Sequence, residues 1–231
     1  MKSVATPHLM QDPHYHLNRN IEYAHKQARP DPTHRYLWPV IRQVILEGYF
    51  ETFRAFDLGC GNGATSDMIR KLGFEVIGVD ASDNGIALAK SAFPKVQFDF
   101  GNAYDDLASK YGTFPLVVSF EVIEHLYDPR RFARTFYQLL DENGVGIISA
   151  PYHGYWKNLA IALAGRWDHH HGSLRLHGHV KFFSDPQLRQ LLSEAGFQDI
   201  SILRVGRVLP AFAKSMVAIV RKRPRMGIGL Q

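Results

Sequence analysis

Apolar residues along this chain fall into two rhythms. Strand-like runs fall at 55–59, 76–79, 96–100, 116–120 and 145–150, and those at 76–79 and 116–120 are apolar nearly throughout, as expected for strands covered on both faces. Between them the spacing turns helical. Residues 65–72 are closed by Gly73, and a helix capped by Ser82 or Asp83 runs to Ala92 and stops at Pro94. Asp128-Pro129 caps a third helix over 130–140, whose apolar stripe is Phe132, Phe136, Leu139 and Leu140. Ser184-Asp185-Pro186-Gln187 has capping-box spacing for a helix ending at Gly196. Ahead of the first strand, residues 34–41 open a helix on which Tyr36, Val40, Val44 and Ile45 can share a face. The last two runs, 200–208 and 215–220, have no helix between them and should form an antiparallel hairpin. The pattern predicts an α/β fold: a doubly wound seven-stranded sheet with a C-terminal antiparallel hairpin.

The first strand ends in Asp57-Leu58-Gly59-Cys60-Gly61-Asn62-Gly63. Glycines at alternate positions, where a strand becomes a helix, permit a tight turn and close approach of a ligand to the backbone, so a Rossmann-like ligand site is expected there. Gly59, Gly61 and Ala64 satisfy the G-x-G-x-x-G/A spacing, and Asp80 lies where a ribose-binding acid belongs. A dinucleotide would bring its pyrophosphate to the helix N-terminus, beside the Asp57 carboxylate. S-adenosylmethionine carries no phosphate but has a sulfonium and an ammonium group, which an acid at that bend suits. Charge therefore favours S-adenosylmethionine, with an NAD-dependent oxidoreductase as the alternative.

Asp57 to Gly63, followed by Glu75-Val76-Ile77-Gly78-Val79-Asp80, resembles motif I and the next acidic motif of class I S-adenosylmethionine-dependent methyltransferases. Phe120-Glu121-Val122-Ile123-Glu124-His125-Leu126 is similar to the E-x-x-E-H segment of the small-molecule branch that includes ubiquinone-biosynthesis O-methyltransferases. The likeness runs from about Arg35 to Phe197. It implies that Arg35 contacts the methionine carboxylate, that Asp57, Gly59 and Gly61 pack on the methionine part, and that Asp80 accepts the ribose hydroxyls. Asn102 and Ala103 would brush the adenine, with Ala81 and Phe120 completing the cofactor set. Ligands of open α/β sheets sit outside the carboxyl ends of the strands, so His125, then Glu121, then Glu124 are the candidate bases for an acceptor hydroxyl. Some relatives hold a divalent metal with this segment; here Glu121, Glu124 and His125 match, and His177 or His179 could add a ligand. A metal is the lesser expectation.

An insertion at 151–183 separates the fifth strand from the Ser184 helix. It is expected to be a lid that carries Tyr152, His153, Tyr155 and Trp156 toward the substrate. Its apolar stretch 155–164 could instead be a dimer contact or an interfacial helix giving weak membrane-surface contact, and its histidines a wet loop.

Composition narrows the rest. At 231 residues and 45% hydrophobic content the chain can bury one core, so one domain over 1–231 is expected, with 1–31 loosely packed and 221–231 a basic tail. Taking the four cations of Arg221-Lys222-Arg223-Pro224-Arg225 from 27 Lys and Arg leaves 23 against 22 acids. A near-neutral body argues against nucleic acid as the partner. Cys60 is the single cysteine, so no intrachain disulfide forms. With neither an apolar run of roughly 18 residues nor a signal-peptide core, a cytoplasmic location is expected. These readings converge on methyl transfer to a small-molecule acceptor, at a hydroxyl oxygen. A protein that binds S-adenosylmethionine without turnover is the non-enzyme alternative.

Overall fold

The computed structural model describes residues 27–171 and 178–223. The expected loose N-terminus therefore falls mostly outside the described residues, as do His177 and the end of the basic tail. Seven strands form one sheet: β1 (Arg54–Leu58), β2 (Glu75–Asp80), β3 (Gln97–Phe100), β4 (Phe114–Phe120), β5 (Leu140–Pro151), β6 (Asp199–Val205) and β7 (Ser215–Arg221). The helices are α1 (His34–Glu47), α2 (Ala64–Lys71), α3 (Asp83–Ala92), α4 (Leu107–Tyr111), α5 (Pro129–Leu139), α6 (Tyr155–Leu163), α7 (Trp167–His171) and α8 (Asp185–Glu194).

The strand order is β3-β2-β1-β4-β5-β7-β6. The first five strands are parallel, while β7 runs antiparallel to both β5 and β6, with Ile147 opposite Ile219 and Ile202 opposite Ala218. The expected terminal hairpin is thus present. Alternate residues of the central strands feed two cores. Phe56, Val117 and Ile148 pack with Phe132 and Phe136 of α5 and Leu188 and Leu192 of α8. Ala55, Leu116, Val118 and Ile147 pack with α1, α2 and α3 through Leu37, Ile41, Met68, Ile69, Ile86 and Ala89. Burial on both faces is why β4 reads as a nearly continuous apolar run.

One helix face and two strand boundaries differ from expectation. On α1 the buried stripe is Leu37, Ile41 and Ile45, with Tyr36, Val40 and Val44 partly buried at its flank. Strand β5 begins at Leu140 and takes in Asn143, which adopts φ 66°. Strand β6 stops at Val205 because Gly206 takes φ 89° and a single turn of 3-10 helix, Pro210–Phe212, leads into β7.

β1 lies between β2 and β4, so the chain winds outward in both directions from it. The carboxyl end of β1 is a topological switch point, where ligands of open sheets bind. The glycine bend is built there.

Candidate active site

Gly59 leaves β1 with φ 83°, and a Cβ on it would overlap the Val122 side chain after β4. Gly63 has φ 79° and would meet the Phe98 ring of β3 at 2.6 Å. Both positions need glycine for conformation and for space. The Gly59 and Cys60 amides donate to the Val79 carbonyl at 2.8 and 3.1 Å, which ties the bend to the end of β2. Cys60 is buried, and burial and the neighbouring acids push its thiol pKa well up, so it fills the turn as an inert side chain.

Asp80 closes the other side of the bend. Its Oδ2 accepts from the Gly61 amide and its Oδ1 from the Ser82 amide, each at 2.8 Å. The carboxylate is thereby aimed and held. Asp57 is buried, and its Oδ2 accepts from Ser66 Oγ at 2.6 Å. Burial pushes its pKa up to about 7, against the pull of the Ser66 bond and with a smaller contribution from Asp80. A carboxyl group in that position gains from a cationic ligand.

Both acids line a cavity of about 550 Å³ together with Gly59, Gly61, Ala81, Asn102, Ala103 and Phe120. Every cofactor residue expected from sequence lines it except Arg35, which is exposed on the outer side of α1. His34 takes that place: its Nε2 lies 3.0 Å from Thr65 Oγ1, and the ring lines the cavity. Asn62 was also missed. Its Nδ2 donates to the carbonyls of Gln27 and Arg29 at 3.0 Å each, fastening the segment before α1 onto the glycine bend.

The E-x-x-E-H segment divides into two groups. Glu121 takes φ 52°, rare for a residue with a side chain, and this turns its carboxylate toward β5 and β7. It accepts from Ser149 Oγ at 2.9 Å and Ser215 Oγ at 3.4 Å, and Ser215 Oγ lies 3.3 Å from the Tyr36 hydroxyl. Glu124 is buried within the 3-10 turn Ile123–His125, and neither of its oxygens has a hydrogen-bond partner. Burial, then the Glu121 charge, raises its pKa well above the usual carboxylate range. His125 Nε2 stands 3.8 Å and His179 Nε2 4.0 Å from Glu124 Oε1. The Val180 and Lys181 amides both donate to the Glu124 carbonyl at 2.9 Å, which brings His179 here from 55 positions along the chain. Ligand atoms of Glu124, His125 and His179 lie within 4.8 Å of one another, whereas Glu121, expected in the same metal set, is outside that group.

A second cavity, of about 970 Å³, lies over β5 and β7 beneath the insertion. Glu121, His170, His171 and His179 line both cavities, so the two spaces adjoin at Glu121. Of the expected lid residues, His153 faces the second cavity. Tyr152 is buried in the core, bridged to Phe183, while Tyr155 and Trp156 are exposed and pack on each other at 5.1 Å. They are no part of the lining. In their place α6 presents Lys157, Ala160 and Ile161, followed by Ala164 just past its end. The reason is helical phase: with α6 starting at Tyr155, Tyr155 and Trp156 fall on its exposed side while Lys157 turns to the cavity.

A family profile described as a methyltransferase domain matches residues 16–202. The chain belongs to the methyltransferase domain family. Among curated relatives it is 38% identical over 120 residues to the ubiquinone biosynthesis O-methyltransferase of Caulobacter sp. (strain K31), covering 50% of this chain and 47% of that protein. It is 32% identical over 155 residues to the ubiquinone biosynthesis O-methyltransferase of Cereibacter sphaeroides (strain ATCC 17029 / ATH 2.4.9), covering 65% of this chain and 62% of that one. The chain thus spans about half to two thirds of the length of these relatives. In fold it is similar to the magnesium protoporphyrin IX methyltransferase of Synechocystis PCC 6803, solved with bound S-adenosylhomocysteine. The TM-score is 0.59 at 20% identity, over 81% of this chain and 82% of that one.

The resemblance read from Asp57 to Gly63 and from Glu121 to His125 therefore holds for family and for fold. Among the described residues of this methyltransferase-family chain, no helix is long and apolar enough to cross a membrane. Lys222 and Arg223, expected in a solvated tail, lie 3.7 Å from Glu142 and 3.6 Å from Asp199 and so dress the edge of the hairpin.

Proposed function

We propose that the chain works as one cytoplasmic methyltransferase domain, carrying a methyl group from S-adenosylmethionine to a hydroxyl oxygen of a small molecule. The observation that carries this reading is the Asp57 carboxyl group, buried at the glycine bend in the wall of the smaller cavity. A diphosphate there would face a carboxylate; a sulfonium and an ammonium group would be stabilised by it. The antiparallel β7 also supports a methyltransferase over an NAD-dependent oxidoreductase.

Bound S-adenosylmethionine would supply a sulfonium-activated methyl group, so the chain's contribution is mostly position. Asp80, held by two amides, would accept the ribose hydroxyls, while Asn102, Ala103 and Phe120 flank the adenine side. Holding acceptor and methyl in line can contribute roughly 7 to 11 kcal/mol in favourable cases. Glu121, where the cavities adjoin, would take the hydroxyl proton. It replaces His125 as first choice because His125 lines the cofactor side alone, its Nδ1 lying 3.3 Å from the Gly178 carbonyl. A base at this position also speaks against a binding protein without turnover.

One observation favours a divalent cation nearby: both buried oxygens of Glu124 lack a partner while two imidazoles face them. Glu124, His125 and His179 would hold it, and it would polarise an acceptor hydroxyl.

The electrostatic reading has a pH signature. Asp57 sits near pKa 7 in the free protein, and a cationic ligand binds better to its ionised form. Affinity for S-adenosylmethionine should rise with pH up to about 7 and level off above it. Calorimetric titration from pH 5.5 to 8.5 checks this, and Asp57→Asn should flatten the profile. A native profile that is already flat or falls with pH opposes the reading.

A further inference from the structure

The second cavity is lopsided in charge. Lys157, Arg166, Arg207 and Lys214 all line it, and Glu121 is the one carboxylate in the lining among the described residues. Arg166, Arg207 and Lys214 form no ion pair with a carboxylate among the described residues. Lys157 is half-buried, donates to the Tyr152 carbonyl at 2.7 Å, and has its pKa lowered by burial and by Arg207. Clustered cations in a partly dry space repel one another, and each gains from an acidic ligand.

Two further features point to a ligand. Both ring nitrogens of His153 are buried without a hydrogen-bond partner at the wall of this cavity, and desolvation holds its pKa down at about 4. A neutral imidazole there is ready to donate one bond and accept another. Beside His169, His170, His171 and His179 the wall has an apolar side, from Ile161 of α6 and Ala164 just past it to Leu209 and Phe212. Toward the rim Val208 is 97% and Leu209 62% exposed. Apolar surface of that kind gains about 25 cal/mol per Å² when a ligand covers it.

We infer that the methyl acceptor is an anionic amphiphile: a molecule joining an apolar chain to a carboxylate or phosphate group, with the reacting hydroxyl at the Glu121 end. The acid lies against Lys157, Arg207 and His153, and the chain follows Ile161 and Leu209 to the rim. This assignment rests on the methyltransferase reading of the adjoining cavity, since only that reading places the acceptor here.

The test uses the full chain saturated with S-adenosylhomocysteine. It is titrated by calorimetry with dodecyl phosphate and with dodecanoate, each below its micellar concentration. Dodecyl maltoside, dodecyltrimethylammonium, inorganic phosphate and anionic phospholipid vesicles serve as comparisons. At least one acidic amphiphile should bind at one equivalent, about 10- to 100-fold tighter than the neutral and cationic amphiphiles, as expected for a hydrogen-bonded charge. The phosphate and carboxylate arms show which acid the site prefers. Arg207→Glu and the double variant Arg166→Ala, Arg207→Ala should each remove that preference, leaving affinity for dodecyl maltoside and for S-adenosylhomocysteine unchanged. Equal affinity for neutral and acidic amphiphiles overturns the inference, as does an Arg207→Glu variant that keeps the preference. Binding confined to inorganic phosphate or to vesicles also overturns it. Failure to take up S-adenosylhomocysteine would instead reject the cofactor site, and is read separately.

Discussion

Asp80→Ala is expected to weaken S-adenosylhomocysteine binding by about 10² to 10⁴, beyond what most titrations resolve. Two hydrogen bonds from ligand hydroxyls to a charged acceptor contribute about 1.5 to 3 kcal/mol each, so losing both removes roughly 3 to 6 kcal/mol. The substitution also deprives the Gly61 and Ser82 amides of their shared acceptor, loosening the bend that packs against the ligand. Asp80→Asn, which keeps one oxygen, should fall between native and alanine. Calorimetry reads the affinity, and the melting temperature of the ligand-free variant separates a lost contact from a lost fold. Affinity within threefold of native in Asp80→Ala would reject the ribose assignment.

The second large effect falls on turnover. Glu121→Gln keeps the shape of the side chain and can still accept from Ser149 Oγ, but it cannot take a proton. General-base catalysis contributes typically about 10² to 10⁴ in rate. With the best acceptor from a panel of phenolic, sugar and acidic amphiphilic hydroxyls, kcat should drop by about that factor. S-adenosylhomocysteine affinity should stay within about threefold, the scale of a change that removes no direct cofactor contact. His125→Ala should slow turnover less. A Glu121→Gln enzyme with native kcat moves the base elsewhere, and His125 is then the next group to examine.

The parts of this protein that could be read from sequence are those written in local periodicity. The central parallel strands are rich in apolar residues because helices cover both faces, and glycines at Gly59, Gly61 and Gly63 mark a bend where the backbone takes positive φ. Asp57 and Asp80 follow from that bend, because each is attached to the end of a strand. What could not be read depends on contacts across long stretches of chain. Glu121 is aimed by Ser149 and Ser215, 28 and 94 positions away, and His179 reaches Glu124 only because the Val180 and Lys181 amides return to its carbonyl. Three of the four expected lid residues lie off the second cavity for a different reason. Aromatic character drew attention to Tyr152, Tyr155 and Trp156, but Tyr152 lies before α6 and is buried beside Phe183, while for the other two the phase of α6, whose start is not marked by a side-chain cap, decides which side chains face inward. Arg35 was expected at the cofactor by resemblance alone; one step along α1 turns a residue by about 100°, enough to exchange the cavity for solvent.

The most direct measurement is a parallel titration of the native chain with S-adenosylmethionine and with NAD at pH 7.5, repeated in Asp57→Asn. S-adenosylmethionine should bind at one equivalent and NAD should not bind, with Asp57→Asn weakening the former. NAD binding in place of S-adenosylmethionine, or NAD binding tightly to the native chain, would contradict that expectation.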